Sequence, residues 1–477
     1  MRLPFPMKQA AILLGASALL AGCAAMPELG PRPALRDPAA LGAVGEAADA
    51  SASTWPGDGW WKDYGDPQLS TLIEEALSGS PTLAVADARA RKAAAYATSA
   101  GAALLPSLSA NAQAAEVKQS YNNGFPAQFV PKGLNDSGRA TLDLNYELDF
   151  FGKNRAALRA ATSEREAAAI EARAARLALA TSIAAAYADL ARLAAEREVE
   201  VAAVQQREEV AALVARRVAS GLDTRGEQRQ ADAGVPLARG DLAATDEAIA
   251  LTRNRIAALL GAGPARGAAI ALPSSRALPP TGLPANLALD LVGRRADIAA
   301  ARLRAEAAAS RIAVARAGFY PNVNLMGFIG LQSLGLGNLT AKGSDIAEVG
   351  GAVSLPIFSG GRIQGNYRAA RADYDEAVAQ YDQTLVRALN EVADAAASQR
   401  ALATRQAEAH AALAASEEAY SIARRRYEGG LSPYLSVLTA QDALLRNRQL
   451  VAALDARALT LSIELIRALG GGYSPKA

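Results

Sequence analysis

The stretch RATLDLNYELDF, residues 139–150, alternates polar and apolar residues without interruption. This is the period of a β-strand, whose successive side chains point to opposite faces. The apolar face carries leucine, tyrosine and phenylalanine, and the polar face carries Asp143, Asn145, Glu147 and Asp149. The stretch therefore predicts a strand with one wet face and one apolar face. Its twelve residues exceed the ~9 to 11 that a tilted strand needs to span a membrane.

Three further segments alternate in the same way, at residues 106–114, 322–332 and 346–358. A half-buried antiparallel sheet on a soluble domain would show the same alternation. In lipid, however, no strand edge can stay unpaired, and known single-chain outer-membrane barrels have at least about eight strands. Four membrane strands therefore predict a barrel that several chains close together, and three chains would supply about twelve strands.

Two long helices are predicted directly after these strand pairs. Gly152 and Gly221 stand 69 residues apart, as do Gly361 and Gly430, and neither interval contains proline. Apolar residues recur there at alternating spacings of three and four, which is the seam of a coiled coil. The seam residues are Leu179, Ile183, Ala186, Leu190 and Leu193, and then Val378, Tyr381, Leu385, Ala388 and Val392. Each helix would be on the order of 100 Å long.

The sequence repeats itself once, at an offset of about 210 residues. RRVASGLD (216–223) echoes RRYEGGLS (425–432), and the glycines in both predict turns followed by returning helices, over 223–260 and 433–469. Helices are also expected to open each copy, over 68–103 and 287–317. We therefore divide the chain into repeats at 64–262 and 286–470, each a helix, two strands and a long helical hairpin, a Pro-rich crossover at 263–285 and a tail at 471–477.

The N-terminus predicts export and an anchor. Residues 1–22 have the basic start and apolar run of a secretory signal peptide, which is excluded from the fold. The run ends in LAGC, which resembles a bacterial lipobox, so Cys23 is expected to be acylated and 23–63 to form a lipid-anchored segment. A free or buried thiol after an ordinary signal peptide is the alternative. Ala24, rather than Asp, follows the cysteine, which favours the outer membrane.

Composition excludes several classes of function. The 477 residues include one Cys and one His, so a Cys/His zinc site and an internal disulfide are excluded. A formal charge of +2 argues against a nucleic-acid binder. His410 lies in a polar helical stretch and is expected to be solvated. We expect no metal, no cofactor and no enzymatic activity, and the abundant alanine favours closely packed helices.

Several motifs resemble the lipoprotein branch of the outer membrane factor (TolC-like) family. They are WWKDYGDPQLSTLIEEAL (60–77), LPIFSGGR (355–362), RRYEGGLSPYLSVLTAQ (425–441) and ALGGGY (468–473). The resemblance implies an α+β fold: a homotrimer in which four strands per chain close a 12-stranded outer-membrane β-barrel above a long α-helical coiled-coil barrel. It also implies the outer-membrane exit duct of a tripartite efflux pump, extending into the periplasm.

The resemblance further implies partners and site residues. The partners are outer-membrane lipid, a periplasmic adaptor and an inner-membrane transporter of the resistance-nodulation-division (RND) type. The hairpin tips would contact the adaptor through Gly221, Leu222, Gly430 and Leu431, although these residues could be plain turns. Relatives often have acids near Ser436 and Thr439 that constrict the periplasmic aperture. Here Asp442 could replace them, or the first hairpin could, through Asp223, Glu227 and Asp232.

Passive conduction is the mechanism implied, with the polar strand face lining a water-filled lumen. Two other functions remain open: an exit duct for type I protein secretion, and a lipid-anchored periplasmic coiled-coil scaffold without a pore. The predicted strands distinguish the scaffold from the two kinds of duct, because a scaffold does not need membrane-spanning strands.

Overall fold

Helices and strands follow one another in two similar series. The computed structural model describes residues 26–41, 55–122, 124, 126–273 and 293–474, so Cys23, the signal peptide 1–22 and residues 274–285 of the crossover lie outside the described residues. The first series is α1 (Pro67–Gly79), α2 (Pro81–Ala102), β1 (Ser107–Val117), β2 (Asn135–Leu148), α3 (Lys153–Ala219), α4 (Arg225–Leu260) and the short α5 (Pro264–Ala268). The second is α6 (Ala296–Ala317), β3 (Asn322–Leu334), β4 (Asp345–Ser354), α7 (Arg362–Glu428) and α8 (Tyr434–Ala468).

The chain divides into two compact units, each drawn from three stretches of sequence. The strand unit comprises the described residues of the stretches Met1–Leu35, Ala90–Ala168 and Ala301–Tyr381. The helical unit comprises Arg36–Arg89, Ala169–Ala300 and Asp382–Ala477. Both copies of the sequence repeat therefore contribute to both units.

The four strands form one antiparallel sheet in the order β1-β2-β3-β4. Its register places Thr141 of β2 between Asn111 of β1 and Gly330 of β3. The four predicted strands are thus confirmed, although most of their ends differ from the predicted ones, and two strands stop earlier than predicted. The second strand stops at Leu148 and so excludes Asp149. The fourth strand stops at Ser354 because Pro356 lacks the N–H that a ladder needs.

The apolar face of this sheet is uncovered in the single chain. Ile329 is 65% exposed and Val349 is 81% exposed, and Leu142 and Leu144 beside them are also exposed. These residues alternate with the polar ones, as the period of two predicted. Within the described residues the sheet also has two free edges, since β1 pairs only with β2 and β4 only with β3.

The two long helices are confirmed at 67 residues each. All ten predicted seam residues, from Leu179 to Leu193 and from Val378 to Val392, are buried. Part of α3 is long and apolar enough to cross a membrane by length and composition, yet most of that part is buried. The seam therefore packs against neighbouring helices.

The prediction of one opening helix over 68–103 is wrong. The structure has two helices there, α1 and α2, separated at Ser80, whose backbone is extended (φ −67°, ψ 127°). Pro81 explains the break, because a proline disfavours the helical conformation of the residue before it and has no N–H of its own.

Both long helices end in the same capping motif. In each, the glycine has a left-handed backbone, with φ of +77° at Gly221 and +73° at Gly430. The next residue returns a backbone hydrogen bond to the helix, from Leu222 N to Arg217 O (2.8 Å) and from Leu431 N to Arg426 O (2.7 Å). These are Schellman caps, which favour glycine.

The returning helices begin slightly later than predicted. α4 starts at Arg225 rather than 223, because Thr224 is its N-cap and closes a capping box with Glu227. α8 starts at Tyr434, with Pro433 at the N-cap position rather than in the first turn. α4 also continues through Pro236.

The helical unit contains an apolar core and a buried ion pair. The core joins Trp60, Ile73, Ile183 and Ile256. In the ion pair, Arg295 reaches three acceptors: Asp297 at 2.7 Å, Glu391 at 2.8 Å and the carbonyl oxygen of Ala468 at 3.1 Å. Burial alone would raise the pKa of Asp297, but the hydrogen bonds and charge of Arg295 lower it below its usual range.

We expect Arg295→Met to destabilise the protein by about 3 kcal/mol, because it leaves two carboxylates without their buried partner. Arg302→Met, in the helix that follows, is the matched control. The ion pair of Arg302 with Glu306 is exposed, so the loss should stay below about 1 kcal/mol. Thermal unfolding of the detergent-solubilised protein checks this.

The difference between wild type and Arg295→Met should also depend on pH. The pKa of Asp297 is lower in the folded protein, so the stabilisation is complete above the ordinary aspartate pKa of about 3.9 and is lost as pH falls through the lower folded value. Equal unfolding temperatures for the two variants at neutral pH would contradict the assignment.

Candidate functional site

The polar face of the sheet carries a connected set of side chains. The Asp143 carboxylate accepts hydrogen bonds from Asn111 Nδ2 at 2.8 Å and from Thr141 Oγ1 at 2.9 Å. Asn145 lies in register with Ser107 of β1 and Met326 of β3. Glu147, near the end of β2, is paired with Lys153 at 3.0 Å. This face can interact with water and with polar solutes along the length of the strand.

Asp149 has a different role from the one predicted for it. It follows the end of β2, and its carboxylate accepts from the backbone N–H groups of Asn154 (3.1 Å) and Arg155 (2.9 Å). The Arg155 guanidinium also donates to it, at 3.2 Å. Asp149 therefore satisfies free N–H groups at the start of α3, which is where an acid is favoured.

Sequence reasoning missed an aromatic contact on the same sheet face. The guanidinium of Arg139 lies 4.8 Å from the ring centroid of Phe328 and donates to Gln332 Oε1 at 3.4 Å. Alternation predicted that Arg139 is on the polar face. It could not predict the partners on β3, because those depend on the register between strands distant in sequence.

Near the hairpin tips, Asp223 joins the two hairpins. Its side chain is buried, with Arg217 Nε at 3.0 Å, and it accepts a hydrogen bond from the Tyr427 hydroxyl. The Arg217 guanidinium lies 4.5 Å from the centroid of the Tyr427 ring. Burial is the main cause that raises the pKa of Tyr427, and the hydrogen bond to Asp223 is the second. The phenol therefore stays protonated and remains a donor.

Two of the other predicted aperture residues are engaged locally. Glu227 closes the capping box with Thr224, and Asp232 pairs with Arg229 at 3.5 Å. Asp442, on α8, pairs with Arg207 of α3 at 2.5 Å and so also joins the two hairpins. Ser436 and Thr439 are exposed on α8, and the Thr439 hydroxyl donates to the carbonyl oxygen of Leu435.

The tip residues Leu222 and Leu431 are both largely exposed, each just beyond its capping glycine. The link between Asp223 and Tyr427 was missed from the sequence, although one signal for it exists. The repeat aligns Asp223 with Ser432 and Tyr427 with Val218, so donor and acceptor occur where the two copies differ. Positions at which the two copies differ suit a contact between one residue of the first hairpin and one residue of the second.

A segment that follows Cys23 is held against α7. Arg371 is buried and donates to the carbonyl oxygens of Gly30 (3.2 Å) and Pro31. The Tyr374 hydroxyl donates to the carbonyl oxygen of Pro33 at 3.0 Å. The segment is therefore bound through its backbone carbonyls, and its sequence gave no reason to predict these contacts.

Among the residues the structure describes, no group of three or more His, Cys, Asp or Glu side chains has the geometry of a metal site. The chemistry that these surfaces offer is non-covalent: hydrogen bonding on the sheet face, an ion pair and phenol contact at the tips, and exposed apolar side chains beyond them.

The chain matches the family model described as outer membrane efflux protein over residues 72–262 and 287–471. It is 31% identical over 481 residues to the multidrug resistance outer membrane protein MdtP of Escherichia coli, covering 97% of this chain and 96% of MdtP. It is 36% identical to the fusaric acid resistance protein FusA of Burkholderia cepacia, over 76% of this chain and 68% of FusA.

The structure is also similar to the crystal structure of the outer membrane protein VceC of Vibrio cholerae. The TM-score is 0.82 at 46% identity, over 88% of this chain and 100% of VceC. The chain belongs to the outer membrane efflux protein family, and it is a TolC-like efflux channel of the outer membrane.

Proposed function

We propose that this chain is one third of a homotrimeric duct that conducts substrates passively out of a tripartite efflux pump. The observation that carries the proposal is the sheet, which among the described residues has two unpaired edges and an exposed apolar face. Lipid can cover the apolar face, but it cannot pair the backbone groups of β1 and β4. Further copies of the chain can pair those edges, and three copies give a barrel of about twelve strands, within the size range of outer-membrane barrels.

In such a barrel the two sheet faces have separate environments. Leu142, Leu144 and Tyr146 face lipid, and Asp143, Asn145 and Glu147 line a water-filled lumen. Conduction through this lumen is passive. The energy comes from an inner-membrane transporter of the RND type, and a periplasmic adaptor connects the two.

The hairpin tips are the proposed adaptor contact. Gly221 and Gly430 fix the turns, and Leu222 and Leu431 present apolar side chains that the described residues leave mostly uncovered. The shared geometry of the two Schellman caps gives the adaptor two similar apolar points per chain. A coiled-coil hairpin with an apolar stripe is the kind of surface that fits them.

The bond between Asp223 and Tyr427 is proposed to hold the tips in the closed state. It joins the two hairpins, so separating them breaks a buried hydrogen bond to a carboxylate, worth about 1.5–3 kcal/mol. An adaptor opens the duct only if it binds the separated tips more tightly. The remaining candidate aperture residues are Glu227, Asp232, Ser436, Thr439 and Asp442.

The lipid anchor on Cys23 fits the position of the segment that follows it. Gly30 is the seventh residue after Cys23, so the chain between them spans at most roughly 25 Å. Gly30 is bound to Arg371, which is nine residues, or about 14 Å, along α7 from Arg362. An acylated Cys23 can therefore reach the start of α7, next to the end of β4. Residues 23–63 form the anchored segment in this proposal.

The two sequence repeats, 64–262 and 286–470, are proposed as the structural repeats of the duct, joined by the crossover 263–285. A type I secretion duct would use the same fold, and only its transporter partner would differ. A scaffold without a pore is disfavoured by the exposed apolar sheet face, which would be in water.

The proposal predicts a closed channel that a single substitution opens. Wild-type trimers in planar lipid bilayers should show small, infrequent conductance steps. Tyr427→Phe removes the hydrogen bond to Asp223, so it should raise the population of channels with separated tips about tenfold or more. The conductance should increase accordingly. Tyr374→Phe, on the same helix but bonded to Pro33, is the control and should behave like wild type.

Heat-modifiable gel mobility of the same samples verifies that each variant is a trimer. If well-folded trimers show no conductance, including those with Tyr427→Phe, the result would favour the scaffold and contradict the proposed duct.

A second prediction concerns the tips. Replacing both Leu222 and Leu431 with glutamate should abolish crosslinking to the adaptor and restore drug sensitivity in cells, because desolvated charges oppose an apolar contact. The double methionine variant keeps the tips apolar and should retain both. Drug resistance that survives the double glutamate variant would show that the adaptor binds elsewhere.

A further inference from the structure

Two neighbouring cavities lie within the strand unit, where the strands end and the long helices begin. The larger, of about 400 Å³, is lined by the ends of α3, α6 and α7, including Lys153, Arg311 and Arg362. The smaller, of about 280 Å³, shares Lys153 and Arg362 and extends to Phe151 and Tyr320. The tip and aperture residues belong to the helical unit and take no part in either cavity.

The larger cavity has an excess of positive charge. Lys153 is paired with Glu147 at 3.0 Å and Arg311 with Glu164 at 2.8 Å. Arg362, the first residue of α7, makes no ion pair with any described residue. Three cations against two carboxylates leave one positive charge, and Asn366 adds an amide to the same lining. Arginine is the cation best suited to bind a phosphate through two parallel hydrogen bonds.

The surroundings of the cavity are apolar and aromatic. Val314, Pro356 and Ile363 line it beside the cations. The ring of Phe151 stacks on that of Tyr320, with centroids 4.8 Å apart. Phe150, Ile357 and Phe358 are exposed around the strand ends, and Phe358 is 90% exposed. Exposed aromatic residues at this level are typical of the boundary between a membrane and water.

We propose that this cavity binds the phosphate group of a phospholipid in the periplasmic leaflet of the outer membrane. The unpaired Arg362 binds the phosphate, the Asn366 amide adds a hydrogen-bond donor, and the acyl chains lie along the apolar strand face beyond Phe358. The proposal rests on the proposed placement of the strands in the outer membrane. A free phosphate would use the same cations but would gain nothing from the apolar lining.

The test is native mass spectrometry of full-length trimers in detergent, supplied with phosphatidylglycerol. Wild type should retain up to one lipid per chain, and Arg362→Gln should reduce the retention severalfold. Arg362→Lys keeps the charge and should restore part of it. Arg165→Gln is the matched control, since it removes one exposed charge from α3 outside the cavity, and it should retain lipid like wild type.

Two results would overturn the proposal. The first is equal lipid retention by wild type and Arg362→Gln. The second is displacement of the lipid by millimolar inorganic phosphate, which would make the cavity a site for free anions. Conductance of the Arg362→Gln trimers separates this inference from the proposed function. If the Arg362→Gln trimers conduct but retain lipid normally, only the lipid site is contradicted. If no variant conducts, wild type included, the proposed duct itself is contradicted.

Discussion

The constraint on which the rest of the structure depends is that a strand in lipid cannot leave its backbone N–H and C=O groups unpaired. In the part of the chain that the structure describes, the sheet has two unpaired edges, at β1 and at β4, and exposed leucine, isoleucine and valine side chains on one face. In water both features would promote aggregation. In an oligomeric barrel both are satisfied, by neighbouring chains at the edges and by lipid on the face. An incomplete sheet in each chain is therefore sufficient for a complete channel.

The helices follow from the same arrangement. α3 and α7 each begin a few residues after a strand, so strand and helix form one continuous path in each copy of the repeat. Asp149 caps the start of α3, and Schellman caps end both α3 and α7, which have 67 residues each. The hydrogen bond from Tyr427 to Asp223 joins the two tips of the chain.

Much of this fold could be predicted from the sequence because its signals are periodic and local. Alternation of period two indicated the strands, and a coiled-coil seam between glycines indicated the long helices. The predictions failed where one residue overrides a pattern, as Pro81 does in the opening helix and Pro356 at the end of β4. The candidate sites were harder to predict, since their contacts join residues far apart in sequence. Strand register brings Arg139 to Phe328, and only the packing of the helices joins Asp223 to the second hairpin.

Closure of the barrel by three chains is the central claim, and cysteine crosslinking between the free edges tests it most directly. Ser109→Cys on β1 would be combined in turn with Glu348→Cys, Gly350→Cys and Ala352→Cys on β4, all on one sheet face. The in-register pair Asn145→Cys and Met326→Cys is the intrachain control. Oxidation should give covalent dimers and trimers and nothing larger. Monomers alone, or a ladder that continues beyond three chains, would contradict a closed trimeric barrel.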